Sequence, residues 1–585
     1  MCGIGVILGQ KKDNSEIKKL LDGLRHRGPD GEGIYEDKNI SMVHTRLRII
    51  DTDIRSDQPM LSKCKRYIIV FNGEIYNYKN LERRFSFRDL ETNSDTEILL
   101  NLFVRFGSEC TKYLKGMYSF AIWDKHEEKL FCAVDHFGIK PLYYTFFENQ
   151  FYICSEPKIL SNLRENTKYN KQVISDYLAL GLCDHSEQTF FKDIFRLMGG
   201  NQFWVDKDGR ILKEKYWELN KVNNQISNYE IAKDDIYQKL FEITALGTVS
   251  DVPVGICMSG GLDSSTMLEI LSRFQNFNKG QNGLTGFTFD YEEDKYSEYK
   301  YTKVISDKYS LDLKRSLFTI DDFEYWFYES NIQQGEPQTG LPILGYSKCV
   351  KKAREAGYKV LLDASGIDEF FGGYTKYNKF VNLRNEPGTS YLIDNQNKRV
   401  AQDGTCGSAI ECLNNNCLKK YKDKNKITNY LNSIMKMNMY LDMFFYKLPR
   451  ALRFRDRLSM SYGCELRPPF LDHELVSFSF QLPDNFLIAD NINKKILRDV
   501  MSNKIPFETA FAAKRQVQTP QREWFRYELK EWIYHTLKNS YIWDLGLLDR
   551  DKSYEKLNNY MNGIGDNSMF IWQWLDLDQW LKNNF

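Results

Sequence analysis

Val252–Phe274 reads VPVGICMSGGLDSSTMLEILSRF, and this stretch decides the architecture of most of the chain. VPVGICM is a short apolar run of strand length, SGGLDSS is a turn of glycines and hydroxyls, and STMLEILSRF spaces its apolar residues as a helix does. A strand running into Ser-Gly-Gly and then a helix makes a cradle for an anion. Glycines let the backbone approach closely, serine hydroxyls donate, and the helix N-terminus points its N–H groups outward. No Gly-Lys dipeptide occurs anywhere in the chain, so this is not the lysine-bearing phosphate loop. Without that lysine on the terminal phosphates, attack at the α-phosphate with pyrophosphate leaving becomes the attractive chemistry. Asp263 inside the loop is the natural first Mg²⁺ ligand, because that ion takes hard oxygens from a carboxylate or two plus phosphates. A serine-capped helix following a strand is the plainer structural reading of the same residues.

Outward from this loop the pattern repeats. LTGFTFDY (284–291) and YKVLLDASG (358–366) read as further strands, each followed by polar or helical sequence. Strand–turn–helix repetition predicts an α/β unit with a doubly wound, mostly parallel sheet, whose ligands sit where strands end in glycine-rich loops. LLDASGIDEFFGGY (361–374) supplies a second carboxylate, Asp368, at a helix start, where an ordinary cap is the alternative. Residues 385–430 are polar and poor in periodicity, and read as an inserted excursion. Upstream the texture differs. KRYIIVFNGEIYN (65–77), MYSFAIWDKHEEKLFCAVDHFG (117–138) and FYICSEPKIL (151–160) are β-rich runs joined by turns. The expected division is 1–205 and 206–585.

Bulk properties exclude several classes. The 585 residues are 42% hydrophobic and 27% charged with a formal net charge of +1, which gives no reason to propose nucleic acid or an anionic membrane as partner. No apolar run approaches the ~18 residues of a membrane span, and MCGIGVILG passes at once into QKKDNSEIKK rather than a cleavage site. Twelve scattered cysteines suit a reducing cytoplasm. The one local group, Cys406, Cys412 and Cys417, lacks zinc spacing and a nearby histidine.

The N-terminus carries a second chemical signal. If Met1 is removed, Cys2 holds both a nucleophilic thiol and a free α-amine able to act as its base. A small apolar residue opening a buried strand is the plain alternative. Gly3 and Gly5 do not begin a dinucleotide fingerprint, since the third glycine comes one residue late at Gly9.

RHRGPDGEG (25–33), HTRL (44–47), NGEIYN (72–77), NSDTE (93–97), DHFGIKPLYY (135–144), SEPK (155–158), SGGLDSS and LPRALRFRDRLSMSYGCELRPPFLD (448–472) follow in that order. Together with MCGI they resemble the glutamine-hydrolysing asparagine synthetase family over nearly the whole chain. The resemblance implies an α+β N-terminal-nucleophile glutaminase domain of stacked antiparallel sheets with helices, followed by a synthetase domain of the pyrophosphatase-loop type. It implies Cys2 as the nucleophile on glutamine's side-chain amide, with its own amine (ordinary pKa ~7.7–8.0) moving the proton. The oxyanion donors would be the Asn72 side chain and the Gly73 N–H. Arg46 would hold the α-carboxylate, and Glu74 and Asp95 the α-ammonium; His26 and His44 would then be structural. ATP would lie on Met258, Ser259, Gly260, Gly261, Asp263, Ser264, Ser265, Phe289, Asp363 and Ala364, with Mg²⁺ on Asp263 and Asp368. Lys514, in FAAKRQVQTPQREWF, would offset charge on the phosphate.

Departures accompany the resemblance. The family typically carries Ser-Gly-x-Gly-x-Asp-Glu at the second loop, whereas this chain reads Asp363-Ala364-Ser365-Gly366-Ile367-Asp368-Glu369. Ser365 stands where a glutamate is common beside the acceptor. The expected reaction is formation of a carboxamide through an acyl-adenylate, asparagine from aspartate, with glutamine-derived ammonia led through a covered passage. The same half-reactions on another carboxylate, such as a sugar uronate in surface-polysaccharide synthesis, remain open because of Ser365. A non-catalytic glutamine or nucleotide sensor is the rival from another class, and Cys2, Asn72, Asp263 and Asp368 together argue against it. Homodimers are usual in the family.

Overall fold

In a computed structural model of the chain, residues 2–9, 14–219, 226–274, 283–381, 408–414, 431, 433–513 and 519–585 are described. Lys514, Cys406, Cys417 and most of the 385–430 segment lie outside them.

The first part of the chain stacks two six-stranded antiparallel sheets. One runs Phe195–Arg196, Tyr143–Phe147, Gln150–Cys154, Cys2–Leu8, Ile40–Arg46, Gly31–Asp37. The other runs Ile211–Lys215, Asn201–Asp206, Lys129–Val134, Gly116–Asp124, Tyr67–Ile75, Met60–Leu61. Strand alternation sets the layers. Ile4, Val6, Leu8 and Met42 meet Val70, Ala121 and Trp123 between the sheets. On the outer faces Ile7 and Val43 pack with Leu20 and Leu24 of helix Asn14–Leu24, while Ile69 and Phe120 pack with Ile98 and Leu102 of helix Asp95–Phe106. Gly3 and Gly5 have a packing reason for their identity. A Cβ on Gly3 would lie 2.8 Å from Leu24 Cβ, and one on Gly5 would lie 2.7 Å from Val43 Cγ2. The second sheet continues past residue 205, because Ile211–Lys215 pairs with Asn201–Asp206 across a Lys207-Asp208 turn.

The second part holds a five-stranded parallel sheet in the order Asp312–Phe318, Thr285–Tyr291, Val254–Cys257, Val360–Leu362, Glu465–Arg467. Chain order therefore reverses between Val254–Cys257 and Val360–Leu362. Adjacent strands whose connections depart in opposite directions leave a crevice at their C-terminal ends, and ligands of such sheets bind there. The loops entering that crevice are Met258–Gly261 and Asp363–Gly366.

The parts are joined by helix Leu448–Met460, in which Arg453, Asp456 and Arg457 are buried at the boundary with the first domain. Arg453 Nε donates to Asp184 (2.8 Å), Arg457 Nη2 to the Tyr143 hydroxyl (2.6 Å) and Glu336 (2.7 Å), and Asp456 accepts from Arg27 Nη2 (2.8 Å) and Lys140 Nζ (3.3 Å). No helix among the described residues is long and apolar enough to cross a membrane.

Candidate active sites

The first site lies where the two antiparallel sheets face each other. Cys2 sits opposite Arg46 in the strand register, and Asn72, Gly73 and Glu74 lie opposite Ser119, Tyr118 and Met117. The Cys2 backbone nitrogen donates to Asn72 Oδ1 at 3.1 Å, so nucleophile and candidate oxyanion donor come from different sheets and meet directly. The Cys2 carbonyl accepts from Arg27 Nε at 3.2 Å, and Arg27 is fixed by Glu156 (2.9 Å) and Asp456 (2.8 Å). Burial pushes the Cys2 thiol up, against a lowering by the Leu47 N–H and Arg46. Gly73 has φ +150, and a Cβ there would run into the Met117 carbonyl, so glycine is required for the strand to pass.

The remaining first-site residues are engaged in different ways. Arg46 donates from Nη1 to Asp57 (2.6 Å) and the Asp53 carbonyl (2.8 Å), and from Nη2 to the Ile50 carbonyl (3.3 Å), which leaves its fork braced by its own loop. Asp95, at the start of its helix behind the Ser94 cap, accepts from the Ile75 N–H at 2.9 Å, and burial pushes it up to about 6. Glu74 is buried, and its Oε2 has no hydrogen-bond partner. Buried carboxylates raised in pKa are stabilised in their charged form by a cation brought beside them. His44 Nε2 donates to the Phe71 carbonyl at 3.2 Å, and burial holds its imidazole down at about 3, in the neutral form.

The second site is the crevice of the parallel sheet. Helix Leu262–Ser272 begins at Gly261, and Gly260 has φ +62 with no room for a Cβ, which would lie 2.6 Å from Thr302 N. Ser259 and Ser264 hydroxyls lie 3.2 Å apart, and Ser265 Oγ is buried without a hydrogen-bond partner. Met258 N donates to the Phe287 carbonyl (2.8 Å), continuing the ladder into the loop. Phe289, on the neighbouring strand, stands edge-on to Tyr346 at 6.1 Å. Asp363 collects the Tyr346 hydroxyl (3.0 Å), the Ser365 N–H (2.9 Å), the Ser365 hydroxyl and Arg455. The Ser365 side chain thus turns onto Asp363, next to Ala364.

Asp263 and Asp368 come from different loops and converge. Lys494 Nζ lies 2.6 Å from Asp263 Oδ2 and 2.6 Å from Asp368 Oδ1, and its side chain is 4% exposed. Burial pulls the ammonium down, but the two carboxylates outweigh it and its pKa is raised. A cation already sits between them, so the pair fits the hard-oxygen donor set that Mg²⁺ takes beside phosphate. Lys494 was not found by sequence reading, since a Lys-Lys pair in NINKKILRD reads as solvated. Gly373 belongs to the same cluster, because a Cβ there would strike Asp368 and Lys494. Arg27 and Arg467 lie inside quoted motifs, yet each has one partner across the domain boundary, Asp456 and Glu74, which gave no signal.

Comparison with known proteins places the chain in a family. The description "Glutamine amidotransferase domain" matches residues 1–217 and "Asparagine synthase" matches residues 235–582. Glutamine-hydrolyzing asparagine synthetase 1 of Bacillus subtilis is 27% identical, with 100% of this chain and 97% of the relative aligned. A putative glutamine-hydrolyzing asparagine synthetase 2 of Methanocaldococcus jannaschii is 34% identical over 64% of this chain and 76% of its own length. With two halves matched in order and the second match alone spanning more than half of its length, the chain belongs to the asparagine synthase family, preceded by a glutamine amidotransferase domain.

Proposed function

We propose that the chain is an ATP-dependent, glutamine-hydrolysing amidotransferase that makes asparagine from aspartate. In the first domain the Cys2 sulfur adds to the carbon of glutamine's side-chain amide. Asn72 and the Gly73 N–H donate to the oxygen that becomes negative, and ammonia leaves as a thioester forms. Water then releases glutamate and restores the thiol, the Cys2 α-amine carrying the proton at each stage. Arg46 takes the substrate's carboxylate, and Glu74 with Asp95 takes its ammonium.

In the second domain a carboxylate oxygen of the acceptor attacks the α-phosphorus of ATP and pyrophosphate departs. Ammonia then displaces AMP from the acyl carbon. The Met258–Ser265 cradle and helix N-terminus orient the phosphates, and Phe289, Asp363 and Ala364 border the nucleotide. Asp263 and Asp368 would hold Mg²⁺, which supplies positive charge against the phosphate oxygens when bound. Lys514, outside the described residues, is the further candidate for that charge.

The observation that carries the reading is the pairing of two separate constellations on one chain: Cys2 against Asn72, and Asp263 with Asp368 on one ammonium. The test is pyrophosphate release with Mg-ATP and ammonium, comparing aspartate with other carboxylates. Release dependent on aspartate with asparagine formed supports the assignment; release only with another acid keeps both half-reactions and replaces the acceptor. Cys2→Ala should abolish glutamine-dependent synthesis and spare synthesis from ammonium, and loss of both in a folded variant would count against separable sites.

A further inference from the structure

Arg467 ends the edge strand of the parallel sheet, in register with Leu362. Its carbonyl accepts from the Asp363 N–H at 2.8 Å, so its backbone holds the first residue of the second synthetase loop. Its side chain, fully buried, points the other way, into the first domain's site. Nε pairs with Glu465, and Nη1 donates to the carbonyls of Gly247 (3.1 Å) and Val249 (2.6 Å). Nη2 makes no hydrogen bond and lies 3.3 Å from Glu74 Oε1 as an ion pair. Glu74 follows Gly73 on its strand, and its second oxygen, Oε2, is buried with no hydrogen-bond partner. One carboxylate oxygen is thus engaged by a cation of the other domain, and the other is left for a ligand.

We propose that Arg467 is a positioning residue of the glutamine site, contributed by the synthetase domain, which holds the Glu74 carboxylate in place for the substrate's α-ammonium. The proposal rests on the glutamine-site reading given above and goes beyond it, because that reading draws every glutamine contact from the first domain. The physical need is clear. Burial pushes Glu74 well above the ordinary carboxylate range, Glu465 and Asp95 push in the same direction, and Arg467 is the largest influence opposing them. A guanidinium serves this role better than an ammonium, since its planar fork pairs with Glu465 and reaches Glu74 from one rigid group. Glutamine affinity is then set partly by a residue whose carbonyl also anchors Asp363.

The experiment uses the full chain and measures kcat and KM for glutamine hydrolysis in Arg467→Gln, Arg467→Lys, Glu74→Gln and the two double variants with Glu74→Gln. Loss of a charge-assisted contact predicts a KM increase of roughly ten- to a hundredfold in Arg467→Gln, with kcat changed far less. Arg467→Lys keeps the charge without the fork, so its KM should rise less. It remains informative if Arg467→Gln does not fold. In the Glu74→Gln background neither Arg467 substitution should raise KM further. An unchanged KM in the Arg467 variants, or losses that add to that of Glu74→Gln, would overturn the proposal while leaving the glutamine site intact. An unchanged KM in Glu74→Gln itself would overturn the site reading and the proposal together.

Discussion

Lys494→Met isolates the electrostatics of the second site without touching either aspartate. The substitution keeps a chain of similar length and removes an ammonium that lies 2.7 and 2.6 Å from the two Asp263 oxygens and 2.6 Å from Asp368 Oδ1. Removing one partner of a buried ion pair costs about 3–5 kcal/mol, because the remaining charge is left uncompensated. The aspartate side chains are 21% exposed, so water relieves part of that and the lower end, about 3 kcal/mol, applies. Two facing carboxylates are also the donor set that Mg²⁺ takes. At about a hundredfold over its Kd, a ligand stabilises the folded state by ~2.7 kcal/mol. In the parent chain the ion must displace the ammonium, whereas in the variant nothing competes.

The assay is urea denaturation of parent and variant in chelator and in excess Mg²⁺, without nucleotide. The variant should be less stable than the parent in chelator and should recover most of that difference in Mg²⁺. Its increment on adding the ion should exceed that of the parent. A double variant with Asp263→Asn should lose the increment. An ion increment in Lys494→Met no larger than in the parent would refute the reasoning, because Lys494 would then not occupy the ion's place.

Asp456→Ala leaves the buried Arg27 with Glu156 as its remaining carboxylate and removes the carboxylate that faces Lys140, so a destabilisation of about 3 kcal/mol or more is expected in denaturant melts. Glutaminase activity should fall with it, since Arg27 also holds the Cys2 carbonyl. Gly373→Ala drives a methyl into Asp368 and Lys494, so ammonium-dependent synthesis should drop sharply while glutamine hydrolysis persists; equal loss of both would disprove the local effect. His136 and His473 stack across the domain boundary at 3.9 Å, and burial with Lys115 nearby holds both below the ordinary 6.5, against Asp472 and Glu474 beside His473. The unfolded chain therefore takes up these protons first, and stability should be lost as pH falls below 6.5, by up to ~1.4 kcal/mol per unit for each ring. Asp95, raised to about 6, contributes with the opposite sign at lower pH, so the readout is the difference in slope between the parent and a His136→Gln, His473→Gln variant from pH 7.5 to 6.

What the sequence showed and what it concealed divide along a physical line. The strand–turn–helix of SGGLDSS is legible because its strand, turn and helix N-terminus are neighbours in the chain. NGEIYN carries a glycine that the strand cannot replace, and that too is local. Lys494 is the opposite case. It adopts φ +56 after a two-stranded turn, and its partners arrive from two loops far away in sequence. No periodicity distinguishes such a lysine from a solvated one. Ser365 illustrates an intermediate case. Its identity is readable and its hydroxyl bonds locally to Asp363, but the Arg455 that shares that carboxylate stands on a helix nearly a hundred residues downstream.

The buried charges of helix Leu448–Met460 raise a question that motif reading alone would answer wrongly. Arg453, Asp456 and Arg457 sit inside a signature, and charged residues in signatures invite a catalytic role. Their contacts are instead with Asp184, Arg27, Lys140, Glu336 and Tyr143, at the boundary between the two parts. Apolar packing of the same volume would hold that boundary as firmly, since desolvation consumes most of what a buried ion pair gains. What a forked guanidinium supplies, and a leucine does not, is direction. An interface of leucines can slide by a fraction of a residue at small cost. One pinned by several short, angular contacts cannot. In the proposed reaction, ammonia made at Cys2 would have to reach the crevice without meeting bulk water, where near neutral pH it would be protonated and lose its nucleophilic lone pair. That requirement would fall on the angle between the parts rather than on the strength of their union, and short, angular contacts such as these are the kind that fix an angle.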